Sequence, residues 1–393
     1  MNITPIQKLY IYIFFGQLFF DRALWVIYLG DQGMTLGQIG ILEAVLHLTI
    51  VLFELPTGVI ADLYGRKVSL LYSQVCSLLY GGLMMVSDSF SLFTVAFMSM
   101  GLMVTFQSGA EQSFAYDTLK QEKKEGEYTR VFGNMTAIAL LSLSLAKLVG
   151  GFLAEIDWMW VYGIMIASHT IAFIPLSLLK EPEHEVEEPP LKQKWMNQWK
   201  GQLTKGVDVW KKNTILHTPV ALYIMTGAVM VIIVFYGQEY FVRLGFSSTL
   251  IGLIFTIEGL LGVWMAKIAH RVENRFKFFS IVYYGLFLFL VFFLIFIFSK
   301  AWAVLLSFLF LAQLVSLFEP IHSSFVQKHL SSDVRATFFS LIGLVESFVI
   351  TIAFPLFGFV AERIGFTWGF AGLFMLFFLV LIVYVIPKTK TRA

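Results

Sequence analysis

Long apolar runs recur along the whole chain, and they leave it few folds to choose from. A bilayer core of roughly 30 Å takes about 20 apolar residues as an α-helix. Runs of that size fall near 7–29, 36–60, 68–87, 91–118, 131–154 and 158–179. After a polar interval they return near 216–241, 247–269, 277–298, 301–328, 336–360 and 366–386. Lipid offers no water to a free backbone N–H or C=O, so runs this long mean helices. The expected fold is all-α integral membrane, with twelve transmembrane helices. Only 14% of the residues are Asp, Glu, Lys or Arg, against roughly a quarter in soluble domains, so lipid is the natural solvent. The first run is of spanning length, holds Asp21 and Arg22, and lacks a small-x-small cleavage site. It therefore reads as a retained helix and not as a signal peptide. The single cysteine, Cys76, excludes an intrachain disulfide and a zinc-binding cysteine cluster.

Lysine and arginine set the orientation. With both termini in the cytoplasm, 23 of the 28 basic residues fall on the inner side, and Arg243, Lys300 and Arg363 are left outside. Arg22 and Lys147 lie within spans. The one long connection divides the chain into a six-helix bundle over 1–179, a cytoplasmic linker over 180–215 and a second six-helix bundle over 216–393. The linker opens acidic and Pro-rich, from Glu181 to Pro190. It continues with Trp195, Trp199, Leu203, Val207 and Trp210 at three- and four-residue steps among lysines, the pattern of an amphipathic helix on the inner membrane surface. Two pairs of short repeats support the division. Gly151-Phe-Leu-Ala-Glu155 ends helix 5 as Gly358-Phe-Val-Ala-Glu362 ends helix 11, and Leu36-Gly-Gln-Ile-Gly40 opens helix 2 as Ser248-Thr-Leu-Ile-Gly252 opens helix 8. Six-plus-six repeats with a site between them are a transporter architecture.

Between helices 2 and 3 stands Gly58-Val-Ile-Ala-Asp62-Leu-Tyr-Gly65-Arg66-Lys67. Gly58 is suited to a close helix approach, and Gly65 to a tight turn. Asp62 is placed to meet an arginine or a helix N-terminus. Arg66 and Lys67 hold the loop on the cytoplasmic side. This segment resembles the G-x-x-x-D-x-x-G-R-K signature loop of the major facilitator superfamily, and the twelve-span layout extends the resemblance over the chain. The resemblance implies two pseudo-symmetric bundles and an inner charge network of Gly58, Asp62, Gly65 and Arg66, with Asp117 as the acidic partner of the arginine. Arg335, in Val334-Arg-Ala-Thr, is likewise similar to a familiar element of bacterial members. A second signature departs. Drug antiporters of the family carry G-P-x-x-G-G in helix 5, whereas this chain has Ala146-Lys147-Leu148-Val149-Gly150-Gly151. The glycine pair survives, but a lysine enters the span.

Ionisable groups inside a membrane are costly and usually functional. Asp21, Arg22, Glu111, Lys147, Glu239, Glu319 and Glu346 are the candidates for a proton-coupling and substrate cavity. Glu43, His47 and Glu54 share one face of helix 2, Glu258 lies in helix 8, and His169 and His322 read as packing or hydrogen-bonding groups. Phe106 and Tyr236 are possible cavity walls. Two basic groups face at least seven acids, so some acids must be protonated, hydrated or opposite a cationic ligand. No G-x-x-x-x-G-K-[ST], H-E-x-x-H or G-x-S-x-G occurs, which argues against ATP as energy source and against an enzyme. By resemblance to bacterial drug-efflux-like members, the chain is expected to be a monomer in the bacterial cytoplasmic membrane. It would work by alternating access, with protons as coupling ion, and export small amphipathic or cationic compounds. Proton- or ion-coupled uptake of a polar or zwitterionic molecule is the alternative. No metal, cofactor, catalytic residue or nucleic-acid partner is expected.

Overall fold

The structure, a computed structural model, describes residues 4–182, 201 and 204–389. Among these no strand occurs. The first half holds α1 (Pro5–Gly16), α2 (Trp25–Asp31), α3 (Leu36–Tyr64), α4 (Arg66–Val86), α5 (Phe90–Gln107), α6 (Ala110–Gln121), α7 (Tyr128–Ile156) and α8 (Trp158–Ser177). The second holds α9 (Thr214–Arg243), α10 (Ser248–Arg275), α11 (Phe278–Phe298), α12 (Ala301–Lys328), α13 (Ser332–Ile364) and α14 (Phe366–Thr389). Ten of the described helical segments are long and apolar enough to cross a membrane.

Two of the expected spans are not continuous. Helix 1 stops at Gly16 and resumes at Trp25. Between them the chain makes short turns, with Phe19 N–H donating to Gln17 O, Arg22 N–H to Phe19 O and Leu24 N–H to Asp21 O. Helix 4 stops at Gln107 and resumes at Ala110, with Gly109 at φ +69°, a conformation that glycine adopts without steric cost. Irregular backbone at membrane depth persists only where protein or a cavity surrounds it. The first break meets that condition: Phe19, Phe20, Asp21, Ala23 and Leu24 are all buried.

The chain separates into two compact units. Unit 1 comprises Met1–Met34, Ile41–Pro189 and Ser247–Ile257, and unit 2 comprises Thr35–Gly40, Pro190–Phe246 and Glu258–Ala393. Each unit thus includes the start of one helix, α10 or α3, whose remainder belongs to the other. Apolar burial holds each together. In unit 1, Leu9, Tyr12, Ile13, Leu70, Phe114, Met135 and Leu176 share a cluster. In unit 2, Leu216, Val220, Val326, Phe338 and Ile342 do. The larger part of the expected amphipathic linker helix, with Trp195, Trp199 and Leu203, lies outside the described residues. Its last turns, 204–212, are helical, and Trp210 stacks on His217 at 4.5 Å and packs on the unit 2 cluster.

Candidate functional site

The break in the first helix carries Asp21 into the interior of unit 1. Its side chain is buried and accepts a 2.6 Å hydrogen bond from the Tyr80 hydroxyl on α4. Arg22 supplies the nearby positive charge. Tyr28, which donates to the Met84 carbonyl, and Tyr162 pack beside them with their rings tilted by 60° and 4.8 Å apart. The second break places Glu111 in the first turn of α6, where its carboxylate accepts from Gln107 Nε2 across the gap at 2.6 Å. The Tyr12 hydroxyl on α1 is its other hydrogen-bond partner. Both candidate acids of unit 1, Asp21 and Glu111, therefore sit where a helix has been interrupted, and each is met by a tyrosine from a neighbouring element.

The altered helix-5 segment explains how the first break is held. A Cβ at Gly150 would come within 1.8 Å of the Phe20 carbonyl oxygen, and one at Gly151 within 2.6 Å of the Ser248 carbonyl oxygen. One glycine receives the broken strand of helix 1, and the next receives the first turn of α10. Lys147, one turn earlier on α7, reaches the Phe255 carbonyl at 3.5 Å and lies 5.8 Å from the centre of that ring. The surviving glycine pair is thus a double backbone contact, with the lysine seated on the same stretch of α10.

In unit 2 the candidate acids line an open cavity of about 320 Å³. Glu319 on α12 and Glu346 on α13 share its wall with Tyr223, Met230, Phe235 and Phe318, and among the described residues no Lys, Arg or His lines it. Gly227 on α9 makes room for one of them, since a Cβ there would lie 2.5 Å from Glu346 Oε1. Behind the wall His322 is buried and stacks face to face on Tyr223, with ring centres 4.4 Å apart. Glu239 stands away from this cavity, near the end of α9, bound to Arg243 Nε at 2.9 Å. Tyr236 is not a cavity wall: it is buried, and its hydroxyl donates to the carbonyls of Leu36 and Phe354 at 2.9 and 3.1 Å.

The signature loop is built differently from its expected network. Gly65 has φ +101° and turns the chain from α3 into α4. Arg66 pairs with Asp62 four residues back; Asp117 on α6 is not its partner here. The α4 N-terminus is instead capped by Glu181, whose carboxylate accepts from Arg66 N–H at 2.6 Å and Lys67 N–H at 2.8 Å. Lys67 Nζ returns the favour to the end of α8, donating to the Ser177 and Leu179 carbonyls at 2.7 Å each. Negative charge at a helix start and positive charge at a helix end both complement the dipole. Gly65 is doubly required, because a Cβ there would also strike the Glu181 carboxyl at 2.5 Å. A Cβ at Gly58 meets nothing within 4 Å, so among the described residues no helix approaches closely there.

Sequence reasoning overlooked Tyr80, Tyr12, Glu181 and Gly227, none of which belongs to a motif. Among the described residues no group of three or more His, Cys, Asp or Glu could hold a metal ion. A family model described as Major Facilitator Superfamily matches residues 9–354. An uncharacterized MFS-type transporter of Bacillus subtilis (strain 168), YxaM, is 22% identical over 376 residues, which cover 93% of this chain and 92% of that protein. A solved structure of a mutant nucleoside transporter, NupG, superposes with a TM-score of 0.80 at 15% identity, covering 97% of this chain and 100% of that one. A D-xylose-proton symporter does so with a TM-score of 0.70 at 13% identity, covering 97% and 96%. At such identities the likeness to the solved structures is one of fold.

Proposed function

The chain belongs to the major facilitator superfamily, whose members are transporters and not enzymes, and is a multi-pass cell-membrane protein; from that premise we propose a secondary active transporter that exports small amphipathic or cationic organic compounds in exchange for protons. The observation that carries this reading is the unit 2 cavity. It offers two carboxylates on a largely aromatic and aliphatic wall with no basic side chain among the described residues. Pockets of this kind bind by apolar contact and choose by a few polar groups. Two anionic groups choose a cation. A carboxyl that is ionised while a cation occupies the cavity, and protonated when it leaves, couples the two fluxes.

Alternating access is the corresponding mechanism. We read twelve crossings, with α1 and α2 together as the first, α5 and α6 as the fourth and α14 as the last. Both termini are cytoplasmic, the halves are 1–179 and 216–393 with 180–215 between them, and the working unit is a monomer. Asp21, Glu111, Glu319 and Glu346 are the coupling and binding acids. A second reading, proton- or ion-coupled uptake of a polar or zwitterionic molecule, is favoured by Arg22 and Lys147, the basic groups on membrane-embedded elements of unit 1. The D-xylose-proton symporter of similar fold moves, by its name, D-xylose together with protons.

Proteoliposomes with an imposed pH gradient, tested against cationic, anionic and zwitterionic compounds, separate these readings. Export predicts cation movement against an opposed proton flow. Uptake predicts a polar or zwitterionic solute moving with the proton. Transport that requires ATP refutes both.

A further inference from the structure

Asp21 is not the only ionisable group in the interior of unit 1. Glu43, on α3, is buried, and its Oε1 lies 3.6 Å from Nε2 of His47 one turn along the same helix. The pair is incompletely satisfied. Glu43 Oε2 and His47 Nδ1 are both buried and have no hydrogen-bond partner among the described residues. A buried polar atom left unpaired is costly, more so when charged, so each such atom in a native protein calls for an explanation. Asp21 and Glu111, by contrast, have their partners in Tyr80, Gln107 and Tyr12.

The surroundings supply that explanation. Tyr80 of α4 lies within electrostatic range of Glu43, Asp21 and Arg22 together. No other ionisable side chain of α4 enters this set. α5 packs on α3 through Gly101, against Leu46 and Thr49, and its sequence contains no ionisable residue. With Asp21 and Glu43 ionised and the imidazole neutral, the cluster would hold two carboxylates against one guanidinium, a single net negative charge inside the membrane. One added proton removes it. Uncompensated charge at membrane depth is strongly disfavoured. His47 also offers the way in, since its side chain is 16% exposed while that of Glu43 is 3% exposed.

We propose that Glu43 and His47 form a proton-binding site, which takes one proton from water and shares it between His47 Nε2 and Glu43 Oε1. The water-borne proton is the only species transferred, and no other bond forms or breaks. Loading converts the cluster from one net negative charge to none. That gives the two loading states of α3 different costs within unit 1. The site rests on the carrier reading only for what the proton drives.

The test is infrared difference titration of substrate-free protein in lipid nanodiscs, from about pH 5 to about pH 8, where imidazole exchanges its proton. The wild-type spectra, from which those of each variant are subtracted, are expected to contain one coupled carboxyl and imidazole component that belongs to this pair. Glu43→Gln removes it, His47→Gln removes or displaces it, and proton-driven flux is lost in both variants. Should Glu43→Gln fail to fold, His47→Gln carries the same test. Titration curves of both variants that superimpose on wild type overturn the site. If wild type moves no compound along any gradient, the carrier reading falls instead, and the substrate-free titration still decides the proton site.

Discussion

Asp21 and Glu111 sit where helices stop, whereas Glu319 and Glu346 sit on helices that run unbroken past them. The two arrangements do different physical work. In unit 1 a broken helix turns irregular backbone and a carboxyl into the protein interior, where tyrosines answer the carboxyl. Discontinuous helices of this kind mark binding sites in membrane carriers. In unit 2, α12 and α13 run on through Pro320 and Pro355, each of which lacks the N–H of its own helix bond, and the acids line an open cavity beside aromatic rings. The first arrangement is rigid and closely specified by packing. The second is roomy and tolerant, as a surface that receives varied ligands must be. Unit 1 should therefore respond to substitution chiefly through stability, and unit 2 chiefly through transport.

The largest effect is expected at Gly150. An alanine methyl there would collide with the Phe20 carbonyl, which belongs to backbone and cannot rotate away. Overpacking usually costs about 1–3 kcal/mol, and a backbone clash lies at or beyond the top of that range. Gly150→Ala should abolish a monodisperse, folded product in fluorescence-detected size exclusion. Gly163→Ala on α8, where a Cβ meets nothing within 4 Å, is the control and should be neutral or gain up to about 1 kcal/mol from helix propensity. Equal behaviour of the two variants would mean that the break is not clamped as described.

Next come the cavity acids. Glu319→Gln and Glu346→Gln remove charge while keeping shape, on the wall of an open cavity. Both should melt within about 1 kcal/mol of wild type, the ordinary range for substitutions away from the core, yet lose gradient-driven flux of cations in proteoliposomes. Glu111→Gln is the sharper comparison. It should lose flux too, but with a measurable fall in melting temperature, because its carboxylate is engaged by both Gln107 and Tyr12. Wild-type flux in Glu111→Gln and Glu319→Gln together would remove these acids from the coupling route.

A smaller effect is expected at Tyr80. Tyr80→Phe deletes the hydroxyl that Asp21 accepts and leaves a buried carboxylate short of a partner, at a cost of about 1–3 kcal/mol. Asp21→Asn in the same background should recover part of that loss. A double-mutant cycle on thermal melts isolates the pair term. A coupling near zero would mean that Arg22 and the surrounding packing, and not Tyr80, hold the acid in place.

How far the sequence could lead is clearest at these same residues. Periodicity and length located the membrane-spanning segments because apolar runs are a local property, written at every position. The breaks left weaker local marks. Gly16 followed by Gln17, and Ser108-Gly109 before a carboxylate, are helix interruptions in a greasy run, and the chain was nevertheless expected to continue through them. Tyr80 could not be found this way. It lies 59 positions from Asp21, and nothing in the composition of α4 separates it from Tyr72. Glu181 is 115 positions from Arg66 and looks like one more acid in a solvated linker. In the signature loop, motif matching named the turn, the arginine and Asp62 as a carboxylate placed to meet it, but only the geometry supplied Glu181. The short repeats were legible as likeness between halves. What they touch is set by tertiary pairing, which no repeat spells out.

That pairing gives the smallest and most symmetric prediction. In unit 1 the repeat ending at Glu155 meets the start of α10: Glu155 Oε1 accepts from Thr249 N–H at 2.9 Å, and Gly252 is crowded by the Lys147 carbonyl and Gly151. In unit 2 the matching repeat meets the start of α3: Glu362 Oε2 accepts from Gly37 N–H at 3.1 Å, and Gly358 is crowded by the Leu36 carbonyl. The same five-residue pattern thus caps a helix N-terminus twice. Glu155→Gln and Glu362→Gln keep an oxygen for the N–H and remove only the charge. Both carboxylates are exposed, so each charge is screened and contributes about half a kcal/mol or less through the helix dipole. The two variants should shift the melting temperature downward by the same small amount, and the double variant by their sum, since the sites share no partner. Raising the salt concentration should shrink both shifts alike. A much larger loss at one end would show that the repeats are alike in sequence but unequal in load, and would break the comparison between the units at the place where they look most similar.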